Sequence, residues 1–165
     1  MVFFVFYLLG LLTAAIRLLR RHAPRTPRQI VDTTAQSQLV VGLGLAGLFS
    51  FFGHRYRSAE VARSIGWEPD SPFQQEVAFA NLGVGLTGVL CAWKRGGFWL
   101  ATAIAGAAFY GGAAVVHIDE WRRTGNKAIN NAGAIAPDIL IPGTILGLLA
   151  ARRFLPDDAT VDADA

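Results

Sequence analysis

The chain has 165 residues, a mass of 17.7 kDa and a formal net charge of +3. Hydrophobic residues make up 53% of it and charged residues only 16%, with 18 glycines besides, whereas soluble domains carry about 25% charged residues. So small a soluble domain leaves too much surface in water to hide that much apolar side chain. The composition excludes an ordinary soluble enzyme, a disordered chain and, with one cysteine, a disulfide scaffold, and it points to an integral membrane protein.

A membrane helix needs about 20 mostly apolar residues. Met1–Ile16 carries no charge, and Arg17 can snorkel, so a first span is predicted to reach about Leu19. No basic residue precedes Val2-Phe3-Phe4-Val5-Phe6, and Arg17, Arg20, Arg21, Arg25 and Arg28 follow it. That order reads as a retained helix rather than a cleaved signal peptide. The second span is Thr33–Gly53, uncharged between Asp32 and His54. Inside it Gly42-Leu43-Gly44-Leu45-Ala46-Gly47 spells GxGxxG, but a dinucleotide fingerprint needs a strand, a turn and a helix around it. Ser58–Trp67 sets Val61, Ile65 and Trp67 among charges, which predicts a short helix lying on the membrane surface. Ser71 as N-cap, Pro72 at the first helical position and Gln74 form a capping box that starts the third span, Val77–Trp93. The fourth is Gly96–Ile118, which includes His117, and the fifth is Ala132–Ala151, with Asp138 near its start. The predicted fold is all-α: a polytopic bundle of five transmembrane helices with a short interfacial helix in the second loop. Residues 1–155 form one transmembrane domain, and 156–165 an acidic polar tail.

Short cytoplasmic loops are enriched in Lys and Arg. Five spans put nine of the 15 basic residues on the side of the first loop and the tail. The N-terminus is therefore expected outside and the C-terminus in the cytoplasm. Trp93 and Trp99 then mark the inner interface, and Trp67 and Trp121 the outer one. The basic first loop beside a span serves topology and anionic lipid, not nucleic acid.

Lipid removes the usual hydrophobic drive between helices, so small residues must allow close packing. Gly42, Ala46 and Ser50 recur every four residues in the second span. The third has Ala78, Asn81, Gly85, Gly88 and Ala92 at alternating spacings of three and four, and the fifth has Gly143 and Gly147. These stripes predict a tightly packed bundle, with Gly143/Gly147 the stripe to offer a partner helix.

Ionisable groups at membrane depth are expensive and mark function. His54, Glu76, His117 and Asp138 sit near the outer ends of their spans, with Asn81 slightly deeper and Asn131 in the loop before Asp138. His117 shares a helix face with Tyr110. An outer polar pocket requires these residues, from four helices, to converge. No HExxH-like spacing, nucleophile constellation or phosphate loop accompanies them, so neither a metal, a cofactor nor an enzyme activity is expected. Cys91 lies near the other end of its span.

Several runs resemble a family of small bacterial integral membrane proteins known only as a domain of unknown function: Gly53-His54, Ile65-Gly66-Trp67, Ser71-Pro72-Phe73-Gln74 with Glu76-Val77, Ala80-Asn81-Leu82-Gly83, His117-Ile118, Asn131-Ala132-Gly133 and Asp138-Ile139-Leu140-Ile141-Pro142. The resemblance covers about Val40 to Leu149. It implies a bacterial inner-membrane protein and makes His54, Glu76, Asn81, His117, Asn131 and Asp138 the family's recurring polar positions. It implies no reaction. Two functions are compatible with these readings: an accessory or scaffold subunit packed into a larger membrane assembly, or a small-molecule, quinone or proton-coupled binding or transport protein that uses the outer pocket.

Overall fold

A computed structural model describes residues 2–20, 25–69 and 72–156. The acidic tail beyond Pro156 and the proposed cap Ser71 lie outside the described residues. The described chain is all-helical, in six helices: α1 (Val2–Leu19), α2 (Pro27–Tyr56), α3 (Ser58–Ile65), α4 (Phe73–Leu90), α5 (Gly97–Thr124) and α6 (Ala132–Arg152). Four of them, α1, α2, α5 and α6, are long and apolar enough to cross a membrane. Large side chains such as Phe52, Val115 and Phe79 are more than half exposed, as lipid-facing residues are.

Local chemistry sets the helix ends. Thr26 Oγ1 accepts from the Gln29 backbone N–H at 3.1 Å, and Pro27 takes the first helical position, where its missing N–H costs nothing. α2 therefore starts earlier than the apolar run and extends to 30 residues. Its stretch Gln38–Leu45 is π-helical, a geometry with no signature in the apolar pattern. α3 falls within Ser58–Trp67, where a short helix is expected. It ends at Gly66, with φ +84°, where the Trp67 N–H bonds to Ala62 O and the Gly66 N–H to Arg63 O. That pair of bonds is a Schellman motif. α4 begins one residue after Pro72, and the Gln74 side chain reaches His54. The polar start Gln74-Gln75-Glu76 shortens the apolar part of α4 and leaves it out of the four.

α4 lies along α2 through glycines. A Cβ on Gly88 would stand 2.6 Å from Gly44 Cα, and one on Gly47 would stand 2.9 Å from Gly85 Cα. Gly85 and Gly88 therefore pack as their stripe suggests, but they meet Gly44 and Gly47. Gly42 faces the side chain of Gln38 and Ile141, Ala46 is fully buried, and Ser50 is buried at the wall of a cavity described below. A Cβ at Gly143 or Gly147 would meet none of the described residues within 4 Å, so this stripe faces away from the described bundle. Leu39, Leu43, Ile141, Ile145 and Trp99 fill the centre.

One end of the bundle is tied by arginines. Arg17 turns its guanidinium onto α2, donating to Gln36 Oε1 at 2.7 Å and Ser37 Oγ at 3.2 Å. Gln36 Nε2 in turn donates to the carbonyls of Cys91 and Ala92, at 3.1 and 3.0 Å, just past the end of α4. Arg152 pairs with Asp32 at 2.7 Å, joining α6 to α2. His54, His117 and Asp138 lie at the opposite end.

Candidate functional site

At that opposite end the start of α1, the end of α2, α3, the start of α4, the end of α5 and the start of α6 enclose a cavity of about 340 Å³. Its walls are mainly apolar. Val2 and Phe3, Phe49, Phe109 and Val116 line it, and the polar groups are few. Such a balance is typical of small-molecule sites.

The polar wall is built in pairs. His54, near the end of α2, meets Gln74 of α4 through Nδ1 and Oε1. Tyr110 donates its hydroxyl proton to Asn81 Oδ1 at 3.0 Å, and Asn81 Nδ2 donates to Val77 O one turn back, at 2.9 Å. Both Tyr110 and Asn81 are buried, and each needs the other, because an unpaired polar group there would cost about 1–3 kcal/mol. His117 Nδ1 meets Asn131 Oδ1 at 2.7 Å, while Asn131 Nδ2 donates to the carbonyls of His117 and Asn126 at 3.3 and 2.9 Å. Those two carbonyls fix which way the Asn131 amide points, because only its NH₂ can face them. The oxygen toward His117 is an acceptor, so Nδ1 carries the imidazole proton. The Trp67 indole stacks on the same imidazole, with centroids 5.8 Å apart. Asp138 Oδ2 lies 4.0 Å from His117 Nε2, too far for a direct hydrogen bond.

The loop after α5 closes this end. Gly125, at φ +72°, ends the helix. Asn126 Nδ2 donates to Ile65 O at 2.9 Å, and Asn130 Nδ2 to Ser64 Oγ at 2.9 Å. α3 and the loop are thereby joined, and Trp67 is held over His117.

Of the residues singled out in the sequence, His54, Asn81, His117 and Asp138 line the cavity, and Asn131 supports it from behind through His117. Glu76 does not join them. It is exposed and absent from the lining, because two residues along a helix turn the side chain by about 200°, and the inward position belongs to Gln74. Sequence reasoning passed over Gln74. Its signal was present: Gln74 extends the series Ala78, Asn81, Gly85, Gly88 one step toward the N-terminus, and these five are the buried residues of α4. Tyr110 was placed on the face of His117, and the structure adds its bond to Asn81. Among the described residues, no three His, Cys, Asp or Glu side chains are grouped closely enough to hold a metal ion.

The model of a family of unknown function, DUF6790, matches residues 1–157, and the chain belongs to that family. The match extends beyond the stretch Val40–Leu149 that carried the resemblance and takes in α1 as well. No curated protein and no solved structure matches the chain.

Proposed function

We propose that this membrane protein binds a small, largely apolar molecule in the cavity at the His54 end of its bundle. The observation that carries the reading is convergence: His54 from α2, Asn81 from α4, His117 from α5 and Asp138 from α6 reach one space of about 340 Å³. Ionisable groups placed together at membrane depth are seldom structural. A photoreactive phenyl-diazirine dissolved in the bilayer tests it. Labelling of Tyr110 and His117 is expected to saturate, and Ala113→Trp, which fills the space, to abolish it while labelling of lipid-facing Val115 stays unchanged. Unsaturable labelling at Tyr110 no greater than at core Ile145 would remove the proposal.

We read α4 as a fifth span. Its 18 residues reach about 27 Å at 1.5 Å per residue, near the thickness of the hydrocarbon layer. Its polar side chains Gln74 and Asn81 turn inward, away from lipid. Five spans with the basic residues inside put the N-terminus and the cavity on the outer face of a bacterial plasma membrane. Reporters active on one side only, fused after Leu155 and in the loop near Ser58, are expected to report opposite sides. The same side for both would end the five-span reading.

A second reading, an accessory subunit of a larger membrane assembly, is favoured by one observation: Gly143 and Gly147 face open space, ready for a close helix. Its test is the mass of the particle in mild detergent, where a lone monomer counts against it.

A further inference from the structure

Resting on the binding reading above, we propose that the cavity takes a phenol: a neutral aromatic compound whose hydroxyl donates its proton to His117 Nε2. The argument starts from the one imidazole of the wall whose proton its neighbours fix. The Asn131 NH₂ is committed to the carbonyls of His117 and Asn126, so Asn131 Oδ1 faces His117 Nδ1 and the proton sits on that nitrogen. Nε2 is left with a lone pair. It hydrogen-bonds to none of the described residues, since Asp138 Oδ2, at 4.0 Å, is out of reach. His117 is 8% exposed and lines the cavity together with Asp138. The wall therefore presents a buried acceptor with no donor of its own.

That vacancy sorts ligands by their polar group. A hydroxyl brings a proton to Nε2. An ether or a ketone brings only lone pairs, and a group that displaces water from Nε2 without replacing its bond loses affinity. Charge is not called for in either sign. Asp138, the acidic residue of the lining, interacts with the positive charge of the chain's own N-terminus, so no cationic ligand is needed beside it. No Lys or Arg lines the cavity, and an anion there would be buried without a partner. Of the neutral donors that a ring can carry, the phenol hydroxyl is among the most acidic, with a pKa of about 10, and gives a strong bond to an imidazole nitrogen.

The remaining walls select the body. Phe3, Phe49, Trp67, Phe109 and Tyr110 bring their rings to a space of about 340 Å³. Rings favour offset or edge-on contact with another ring. A volume at the lower end of the range for small-molecule sites suits one ring or two fused rings, not a lipid with two chains.

The test is isothermal titration of the full chain in lipid nanodiscs with three probes of nearly one shape. These are 2-naphthol, which donates, 2-methoxynaphthalene, which only accepts, and 2-ethylnaphthalene, which does neither. Each affinity is corrected for partition into empty discs. 2-Naphthol is expected to bind roughly five-fold more tightly than either of the others, the effect of one hydrogen bond gained. It is also expected to move the nitrogen NMR resonance of His117 Nε2, which the other two leave in place. His117→Phe keeps a ring beneath Trp67 but removes the acceptor, and is expected to bring 2-naphthol to the level of the other probes. Should that variant fail to fold, the order of the probes and the His117 resonance in the unaltered chain decide. A methoxy or ethyl compound that binds as tightly as 2-naphthol overturns the proposal and leaves the cavity as a binding site, and so does tighter binding of 2-naphthol with the His117 resonance unmoved. Absence of saturable binding by 2-naphthol also overturns it, and the binding reading falls with it only if diazirine labelling of Tyr110 is unsaturable too.

Discussion

Replacing Gly88 by alanine tests the packing that positions the α4 wall of the cavity. The new Cβ would stand 2.6 Å from Gly44 Cα, 2.7 Å from Gly44 N and 2.8 Å from Leu39 O. All three are backbone atoms, so no side chain can rotate out of the way. Carbon atoms touch at about 3.5 Å, so α2 and α4 must part by about 1 Å where they cross. Overpacking of a well-packed interior costs about 1–3 kcal/mol, and an immovable backbone puts Gly88→Ala at the upper end of that range. Gly143→Ala is the matched control. Its Cβ meets none of the described residues within 4 Å, and alanine gains up to about 1 kcal/mol in helix propensity. Reversible unfolding in mixed detergent micelles, followed by circular dichroism, measures both. Gly88→Ala within about 0.5 kcal/mol of the unaltered protein would refute the close crossing. Equal losses in the two variants would show that the effect is not one of contact.

Three further outcomes are expected. Tyr110→Phe leaves Asn81 Oδ1 without its donor and lowers unfolding free energy by about 1–3 kcal/mol; a change below about 0.5 kcal/mol in the same micelle assay would mean that the pair is not buried together. Gly66→Ala forces a side chain into φ +84° and to 2.7 Å from Asn126 Nδ2, at a cost of roughly 1–2 kcal/mol for the backbone alone; protease cleavage between α3 and α4 should accelerate, and an unchanged rate would contradict the docking of the loop on α3. Nitrogen NMR of His117 should show its proton on Nδ1, and Asn131→Leu should let the two ring nitrogens exchange roles; a proton on Nε2 in the unaltered protein would undo the orientation assigned to the Asn131 amide.

The sequence made the four membrane-compatible helices legible because long uncharged runs, such as the one before Arg17 and the one between Asp32 and His54, are rare outside membrane-spanning segments. His54, Asn81, His117 and Asp138 were legible as candidates for a related reason: a polar group inside such a run is costly enough to demand a partner. What the pattern could not convey was direction around each helix. Glu76 drew attention by its charge, while the neutral Gln74 faces inward. The GxGxxG run of α2 is the clearest case. Gly42 starts an apparent stripe with Ala46 and Ser50, yet Gly44 and Gly47 are the glycines that meet α4. A π-helical stretch turns less per residue than an α-helix, so faces drawn with 3.6 residues per turn drift across Gln38–Leu45.

The two prolines of α6 bear on the mechanics of the cavity floor. Pro137 and Pro142 lie within the helix and lack the N–H that would bond to the carbonyls of Gly133 and Asp138 four residues earlier. A helix missing a rung bends more readily at that rung. α6 therefore resembles a rod with two soft joints, and Asp138 rides on the short link between them. Across the cavity, Gln74 and Asn81 ride on α4, which the glycine crossing clamps to α2. One wall is stiff and the other compliant. A guest too large or too small for the empty space would be accommodated by tilting the Asp138 link, with the opposite wall acting as the fixed jaw.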